Sequence, residues 1–97
     1  MLRHVAMFRF TPDSTRAQHE AAFESLRTLP SVIPQIRDYK VGTDAGLVEG
    51  NWQAVVVADF DDADGWRVYA NHPDHRQMIA ELVQPIVAER AAVQYES

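Results

Sequence analysis

The fold is decided by residues 52–60, which read WQAVVVADF. Successive side chains of a β-strand point to opposite faces of its sheet. In this stretch one face carries Trp52, Ala54, Val56, Ala58 and Phe60, and the other carries Val55 and Val57. Because both faces are apolar, the sequence predicts a strand with a buried layer on each side.

Three further strands are predicted around this one. The first is Leu2–Phe10, which places His4, Ala6, Phe8 and Phe10 on one face and Val5, Met7 and Arg9 on the other. The second is Gln35–Thr43, with Ile36 on one face and Tyr39 and Val41 on the other. The last is Ala88–Glu96, and the glycine-containing segment Asp44–Asn51 is a loop.

Helices are predicted between these strands. The segment Thr11–Ser14 has the proline and oxygen-bearing side chains of a helix start, and this helix should run to about Leu29. The acidic segment Asp61–Asp64 suits the start of a short helix to about Ala70. Pro73 begins another helix, whose apolar stripe contains Met78, Ile79, Leu82, Val83 and Ile86. The order predicts an α+β fold, a ferredoxin-like split β-α-β-β-α-β unit with a four-stranded antiparallel sheet.

The predicted sheet has one face without helices. Two helical segments cover only one side, yet apolar side chains load both faces of the strands: Val5, Met7, Val41, Val55, Val57, Val93 and Tyr95. An apolar sheet face open to water is a binding surface, and stacking two sheets in a two-fold dimer is the simplest way to bury it. The sequence therefore predicts a homodimer through the sheet face. The alternative is that some of these residues belong to the core under the helices.

Composition narrows the classes of function. A chain of 97 residues holds one domain, so residues 1–97 are treated as a single unit. The net charge of −5 gives no electrostatic footprint for nucleic acid, and the absence of cysteine excludes thiol chemistry and disulfides. No apolar run is long enough to span a membrane and no signal peptide is evident, so a cytoplasmic protein is expected.

Three side chains can converge between the sheet and the helices. His4 shares a strand face with Phe8 and Phe10, Tyr69 lies at the end of the second helix, and His75 lies in the first turn after Pro73. Two imidazoles and a phenol in an apolar cavity form a workable acid–base set. The residues expected to bind substrate around them are Phe8, Phe23, Leu26, Met78, Ile79 and Leu82. The structural alternative is a buried histidine bonded to the backbone and a tyrosine that only packs.

No cofactor or metal site is predicted. His72 and His75 are three residues apart, but Pro73 lies between them and no third ligand is evident. The aspartates around Asp61 lack the spacing of a calcium loop, and helix capping is the role that they suit. The glycines lack the strand–GxGxxG–helix order of a phosphate-binding loop.

Several motifs resemble the stress-responsive dimeric A/B-barrel (Dabb) family. They are the strand from His4 to Arg9-Phe10, the Gly42-x-Asp44 turn, the run Ala54–Phe60, and Tyr69-x-x-His72-Pro73-x-His75. The resemblance covers nearly the whole chain and implies a ferredoxin-like protomer whose dimer forms an α/β barrel. Family members include stress-induced proteins without established catalysis and a polyketide cyclase that performs an intramolecular aldol step. The catalytic residues of that cyclase correspond to His4, Tyr69 and His75, whereas Gln94 and Leu26 depart from it.

The resemblance and the residues together suggest proton transfer on a carbonyl compound, without an organic cofactor. His75 would be the general base, Tyr69 would hydrogen-bond the carbonyl oxygen, and His4 would orient or protonate. The ligand would be a small apolar or polyketide-like molecule. Two alternatives stay open: a non-catalytic stress-responsive or ligand-binding protein, and an accessory module of a larger assembly.

Overall fold

The computed structural model describes all residues, 1–97, as alternating strands and helices. The strands are β1 (Leu2–Phe10), β2 (Asp38–Thr43), β3 (Ala54–Phe60) and β4 (Val87–Glu96). The helices are α1 (Arg16–Leu26), α2 (Ala63–Asn71) and α3 (Pro73–Met78). Single turns of 3₁₀ helix occupy Leu29–Ser31 and Gln84–Ile86, and a π-helical turn, Ile79–Val83, extends α3. The ferredoxin-like α+β fold predicted from the sequence is confirmed.

The four strands form one antiparallel sheet in the order β2-β3-β1-β4. The two-faced strand β3 lies inside the sheet, between β2 and β1. In the register, His4 lies opposite Ala58 of β3 and opposite Gln94 of β4. Because side chains alternate between the two faces of a sheet, this register determines which residues of β2 and β4 share the face of His4.

One face of the sheet is covered by the helices. The side chains of His4, Ala6 and Phe8 are buried there, together with the alternate residues of β3 and residues of α1 and α2. The other face, called here the open face, carries half-buried Val5, Met7, Val55 and Val57 and more exposed Val93 and Tyr95. A sheet with helices on one side only therefore leaves an apolar strip uncovered.

The strands differ from the prediction at several points. The second strand begins at Asp38 rather than Gln35, so Ile36 precedes the strand and packs in the core, and the last strand begins at Val87 rather than Ala88. Val41 was counted among residues for the open face, but it lies opposite Val56, and both it and Tyr39 pack against the core under the helices. The third strand begins at Ala54 rather than Trp52, and the Trp52 ring instead lies 4.1 Å from the guanidinium of Arg9.

The helix boundaries also shift by a few residues. Helix α1 is capped by Thr15, whose side chain accepts a hydrogen bond from Gln18 in a capping box, so the preceding Thr11–Ser14 segment forms a turn. It ends at Leu26 because Thr28 bonds Ser25 through both its backbone nitrogen and its hydroxyl, which tightens the chain into a 3₁₀ turn. No helix of this chain has the length and apolar character needed to span a bilayer.

Candidate active site

His4 lies on the covered face of β1, near the middle of the sheet. Its side chain is buried, and the amide nitrogen of Gln94 lies 2.8 Å from its Nδ1. An amide nitrogen only donates, so Nδ1 accepts and the ring proton lies on Nε2. Burial lowers the pKa of His4 to about 4, with the charges of Arg90 and His75 acting in the same direction. His4 is therefore neutral at neutral pH.

Tyr69 forms the centre of the site. It projects from α2, is 3% exposed, and packs against Phe60 with a ring-centroid distance of 5.3 Å. Its ring centroid lies 6.0 Å from that of His4 and 4.1 Å from that of His75. Burial raises the pKa of Tyr69, so the phenol keeps its proton at neutral pH and can donate it in a hydrogen bond.

His75 is positioned by the start of α3. Pro73 occupies the first turn, and Nδ1 of His72 accepts a hydrogen bond from the backbone nitrogen of Asp74. This cap sets the helix so that the following turn carries His75 toward Tyr69. Nδ1 of His75 is buried and has no hydrogen-bond partner, and burial lowers the pKa of the ring, against the opposing effect of the Ala70 backbone. A neutral imidazole with an unpaired nitrogen has the properties of a general base.

The structure thus brings together the three residues predicted to be catalytic, and it adds two that sequence reasoning missed. The hydroxyl oxygen of Tyr39 lies 3.1 Å from that of Tyr69, and the pKa of Tyr39 is raised by burial. The Trp66 ring lies 6.1 Å from His4, and its Nε1 is buried without a partner. The only signal for Tyr39 was its place on β2, and its contact with Tyr69 depends on the pairing of β2 with β3.

The six residues predicted to bind substrate do not line one cavity. Phe8, Phe23 and Leu26 are buried in the core under the helices. Met78 and Leu82 pack partly against that core and border a surface groove of about 310 Å³, while Ile79 borders a different groove of about 330 Å³. None of the grooves and cavities of the protein is lined by His4, Tyr69 or His75.

The site reaches solvent beside strand β4. His75 is partly exposed, and the residues of β4 that face the same side as His4 are exposed: Arg90, Ala92 and Gln94. The helices pack chiefly against β1, β2 and β3, and this side of β4 is exposed in the protomer. A ligand would approach His4 and His75 from this direction.

The charged side chains of the site offer no obvious metal centre. No three histidine, aspartate or glutamate side chains are close enough together to hold a metal ion. His72 uses its Nδ1 to cap α3. The arrangement is an acid–base cluster, in which the Tyr69 phenol has the imidazoles of His4 and His75 as neighbours.

Comparisons with known proteins agree with this fold. The family model for the stress responsive A/B barrel domain matches residues 2–97. A dimeric ferredoxin-like protein of unknown function from Thermobifida fusca is 43% identical, with a TM-score of 0.91, over 99% of this chain and 90% of that one. A dimeric protein of unknown function from Bacteroides fragilis is 26% identical, with a TM-score of 0.81, over 99% of this chain and 95% of its own.

A more distant structure has an enzyme name. The hydroxynitrile lyase from Passiflora edulis is 16% identical to this chain, with a TM-score of 0.85, over 97% of this chain and 90% of the lyase. At that identity the likeness concerns the fold alone. No curated protein matches the sequence. The family match over almost the whole length confirms the resemblance noted from the motifs, and the chain belongs to the stress responsive A/B barrel domain family.

Proposed function

We propose that this chain is a cytoplasmic enzyme that transfers protons on a small carbonyl compound without an organic cofactor, in the manner of an aldol-type polyketide cyclase. His75 is the general base, which removes a proton from carbon or hydroxyl. Tyr69 donates a hydrogen bond to the carbonyl oxygen as negative charge develops on it. His4 orients the substrate or returns the proton.

One observation carries the proposal: the Tyr69 ring touches His75, at 4.1 Å between centroids, and lies 6.0 Å from His4. Burial lowers the pKa of both histidines and raises that of Tyr69. The imidazoles are thereby kept as neutral proton acceptors and the phenol as a proton donor at the same pH. Opposite shifts of neighbouring titratable groups are what acid–base chemistry at neutral pH requires.

The buried polar atoms support the same reading. Nδ1 of His75 and Nε1 of Trp66 are both buried without a partner. An unsatisfied buried polar group costs about 1–3 kcal/mol, and native structures contain few of them. Oγ1 of Thr11, just after β1, is a third such atom, but those on Trp66 and His75 belong to side chains that contact His4 and Tyr69, and a bound substrate would supply their missing partners. A hydroxynitrile lyase is among the proteins of similar fold, so this architecture is able to accommodate a lyase.

We also propose that the working unit is a homodimer formed through the open face. Half-buried Val5, Met7, Val55 and Val57 form an apolar strip across the two inner strands of that face. The two structures with the highest identity quoted above are both dimeric proteins. A dimer of this kind buries the apolar strip and leaves the covered face, with the candidate site, on the outside of each protomer.

A second candidate function is a non-catalytic ligand-binding or stress-responsive protein. It is favoured by one observation: no cavity is lined by His4, Tyr69 or His75, and three of the residues expected to bind substrate are part of the core. In this role the histidines would be structural. His4 already has a partner in Gln94, which is what a structural histidine needs.

The two functions are separated by an activity screen with matched variants. Purified protein is incubated with a panel of β-polyketones and cyanohydrins, and products are followed by chromatography and mass spectrometry. His75→Ala and Tyr69→Phe should each lower kcat/KM by about 100-fold or more, since general acid–base groups contribute about 10²–10⁴. His19→Ala is the control, because His19 stacks on Phe10 at 3.6 Å and bonds Ser14, away from the site. Undiminished turnover in His75→Ala would remove His75 from the mechanism. Absence of turnover across the panel, with ligand binding retained, would favour the second function.

A further inference from the structure

Arg90 is an exposed charged residue on the same side of the sheet as the candidate site. It lies on β4 opposite Phe8, so it faces the same side of the sheet as His4. Ala92 and Gln94 follow on the same side, and all three residues are exposed because the helices leave β4 uncovered. A cation, a small apolar residue and an amide therefore form a strip, which ends at the bond between Gln94 and His4.

The Arg90 guanidinium has no partner within the protein. The arginines of the open face are paired: Arg3 binds Asp59 through two hydrogen bonds, and Arg9 binds Glu89. Arg90 takes part in no ion pair or side-chain hydrogen bond. Its five donors are thus free, although the chain as a whole has an excess of acidic groups.

The charge of Arg90 is felt inside the site. It lowers the pKa of His4 and of His75, and it opposes the rise in the pKa of Tyr69. This agrees with the register of β4, which places Arg90, Ala92 and Gln94 on the same face of the sheet as His4. An anion held at Arg90 would therefore lie next to the acid–base cluster.

We propose that Arg90 binds the carboxylate of the substrate, so that the natural substrate is an anionic carbonyl compound, an oxo acid, rather than a neutral ketone. This inference rests on the proposed function and names its substrate class. The planar guanidinium fork matches a carboxylate with two parallel hydrogen bonds. The exposed strip at Ala92 then accommodates the carbon chain, and the carbonyl group reaches Tyr69 and the histidines.

The distance along the strand limits the size of this acid. Arg90 and Gln94 are four residues apart on β4, which corresponds to roughly 13 Å between their Cα atoms. The long arginine side chain covers part of this distance. A carboxylate separated from the reacting carbonyl by a few carbon atoms fits the remainder, as in a dioxo acid of about six carbons.

The test compares an acid with its uncharged ester. The probes are 3,5-dioxohexanoate and its methyl ester, and binding is measured by NMR titration of the ¹⁵N-labelled dimer. The variant is Arg90→Gln, and the control is Arg76→Gln, which removes another exposed arginine that takes part in no ion pair and is one residue from His75. Arg76 borders a separate groove with Ala80 and Gln84, and none of His4, Tyr69 and His75 lines that groove.

Wild type should bind the acid about tenfold or more tightly than the ester, and Arg90→Gln should remove that preference while Arg76→Gln keeps it. Equal binding of acid and ester by wild type, or an acid preference that survives Arg90→Gln, overturns the inference, as does failure of both probes to bind. His75→Ala separates this result from the proposed function. An Arg90-dependent preference without His75-dependent turnover supports carboxylate binding and contradicts catalysis. Turnover that depends on His75 but is equal for acid and ester supports catalysis and contradicts carboxylate binding by Arg90.

Discussion

On the open face of the sheet every charged side chain has a partner, whereas under the helices on the covered face two buried polar atoms, Nε1 of Trp66 and Nδ1 of His75, have none. Arg3 binds Asp59, Arg9 binds Glu89, and the remaining charges, Asp38 and Lys40, bind each other. Between these ion pairs lies the apolar strip of β1 and β3. A surface with satisfied charges and an apolar centre is built for contact with another protein surface.

The covered face differs from the open face because it buries polar aromatic side chains. Two tyrosines, two histidines and a tryptophan meet there, and Nδ1 of His75 and Nε1 of Trp66 have no partner. Each such atom lowers stability by about 1–3 kcal/mol. The open face thus has the composition of an association surface, while the covered face carries a cost in stability that chemistry or ligand binding would justify. Substitutions on neighbouring residues of β3 separate these two roles.

The largest effect is expected from a charge introduced on the covered face. Val56 is 2% exposed and points toward the helices, so Val56→Asp buries a carboxylate with no cation to pair with it. The penalty of several kcal/mol per unpaired ion is comparable with the whole stability of a small domain, about 5–15 kcal/mol. We expect the variant to be unfolded or to melt far below wild type in thermal unfolding followed by circular dichroism. A cooperative transition within a few degrees of wild type would contradict the assignment of Val56 to the core.

The same change one residue later should separate the protomers and leave them folded. Val57 lies on the open face, so in Val57→Asp the new charge is hydrated in the monomer but buried in the proposed dimer. Sedimentation at micromolar concentration should give a monomer with wild-type secondary structure. Val68→Asp, on the exposed side of α2, is the control and should keep the dimer. A dimeric Val57→Asp would mean that association uses another surface.

The sequence alone predicts the order of elements and the bounds of β1, because alternation along a strand is a local signal. The residues at which helices end depend on side-chain hydrogen bonds to the backbone, which the pattern of apolar residues does not reveal. The hydroxyl of Thr28 bonds the carbonyl of Ser25 and helps to end α1 early. The face of Val41 depends on the pairing of β2 with β3, which is a long-range property. For that reason the prediction that counted Val41 among the residues of the open face is wrong.

The residues of the candidate site likewise include some that local sequence signals predict and others that depend on long-range strand pairing. His75 could be placed from sequence because His72 and Pro73 are local signals for the start of α3. Tyr39 and Arg90 could not be placed, since each faces the site only through the register of its strand with its neighbour. The absence of a cavity around the cluster also lay beyond sequence patterns, because apolar stripes do not distinguish a filled core from a lined pocket.

A smaller effect is expected from the titration of His4. Its pKa is about 4 in the folded protein, below the ordinary value of 6.5, so the unfolded chain binds more protons between these limits. Neutral His4 therefore does not reduce the free energy of unfolding above pH 6.5. As the pH falls from 6.5 toward 4, protonation favours the unfolded chain and the free energy of unfolding decreases. The loss of unfolding free energy that His4 causes over this range amounts to about 3 kcal/mol. Urea unfolding across this range should show a steeper loss of stability in wild type than in His4→Phe, with His19 and His75 contributing the slope that remains. Equal slopes in the two proteins would show that His4 titrates normally.

The smallest effect is expected from the one hydrogen bond that joins β2 to the site. Tyr39→Phe removes the partner 3.1 Å from the Tyr69 hydroxyl, at a cost of about 1 kcal/mol in the free energy of unfolding. Because the hydrogen bond from Tyr39 lowers the pKa of Tyr69, its loss should raise that pKa further, as measured by NMR of ¹³C-labelled tyrosine. Tyr95→Phe, on the open face, is the matched change and should leave Tyr69 unaffected, since Tyr95 lies across the sheet from it. A Tyr69 pKa that responds to Tyr95 but not to Tyr39 would mean that the two faces are coupled, and the division of roles between them would no longer hold.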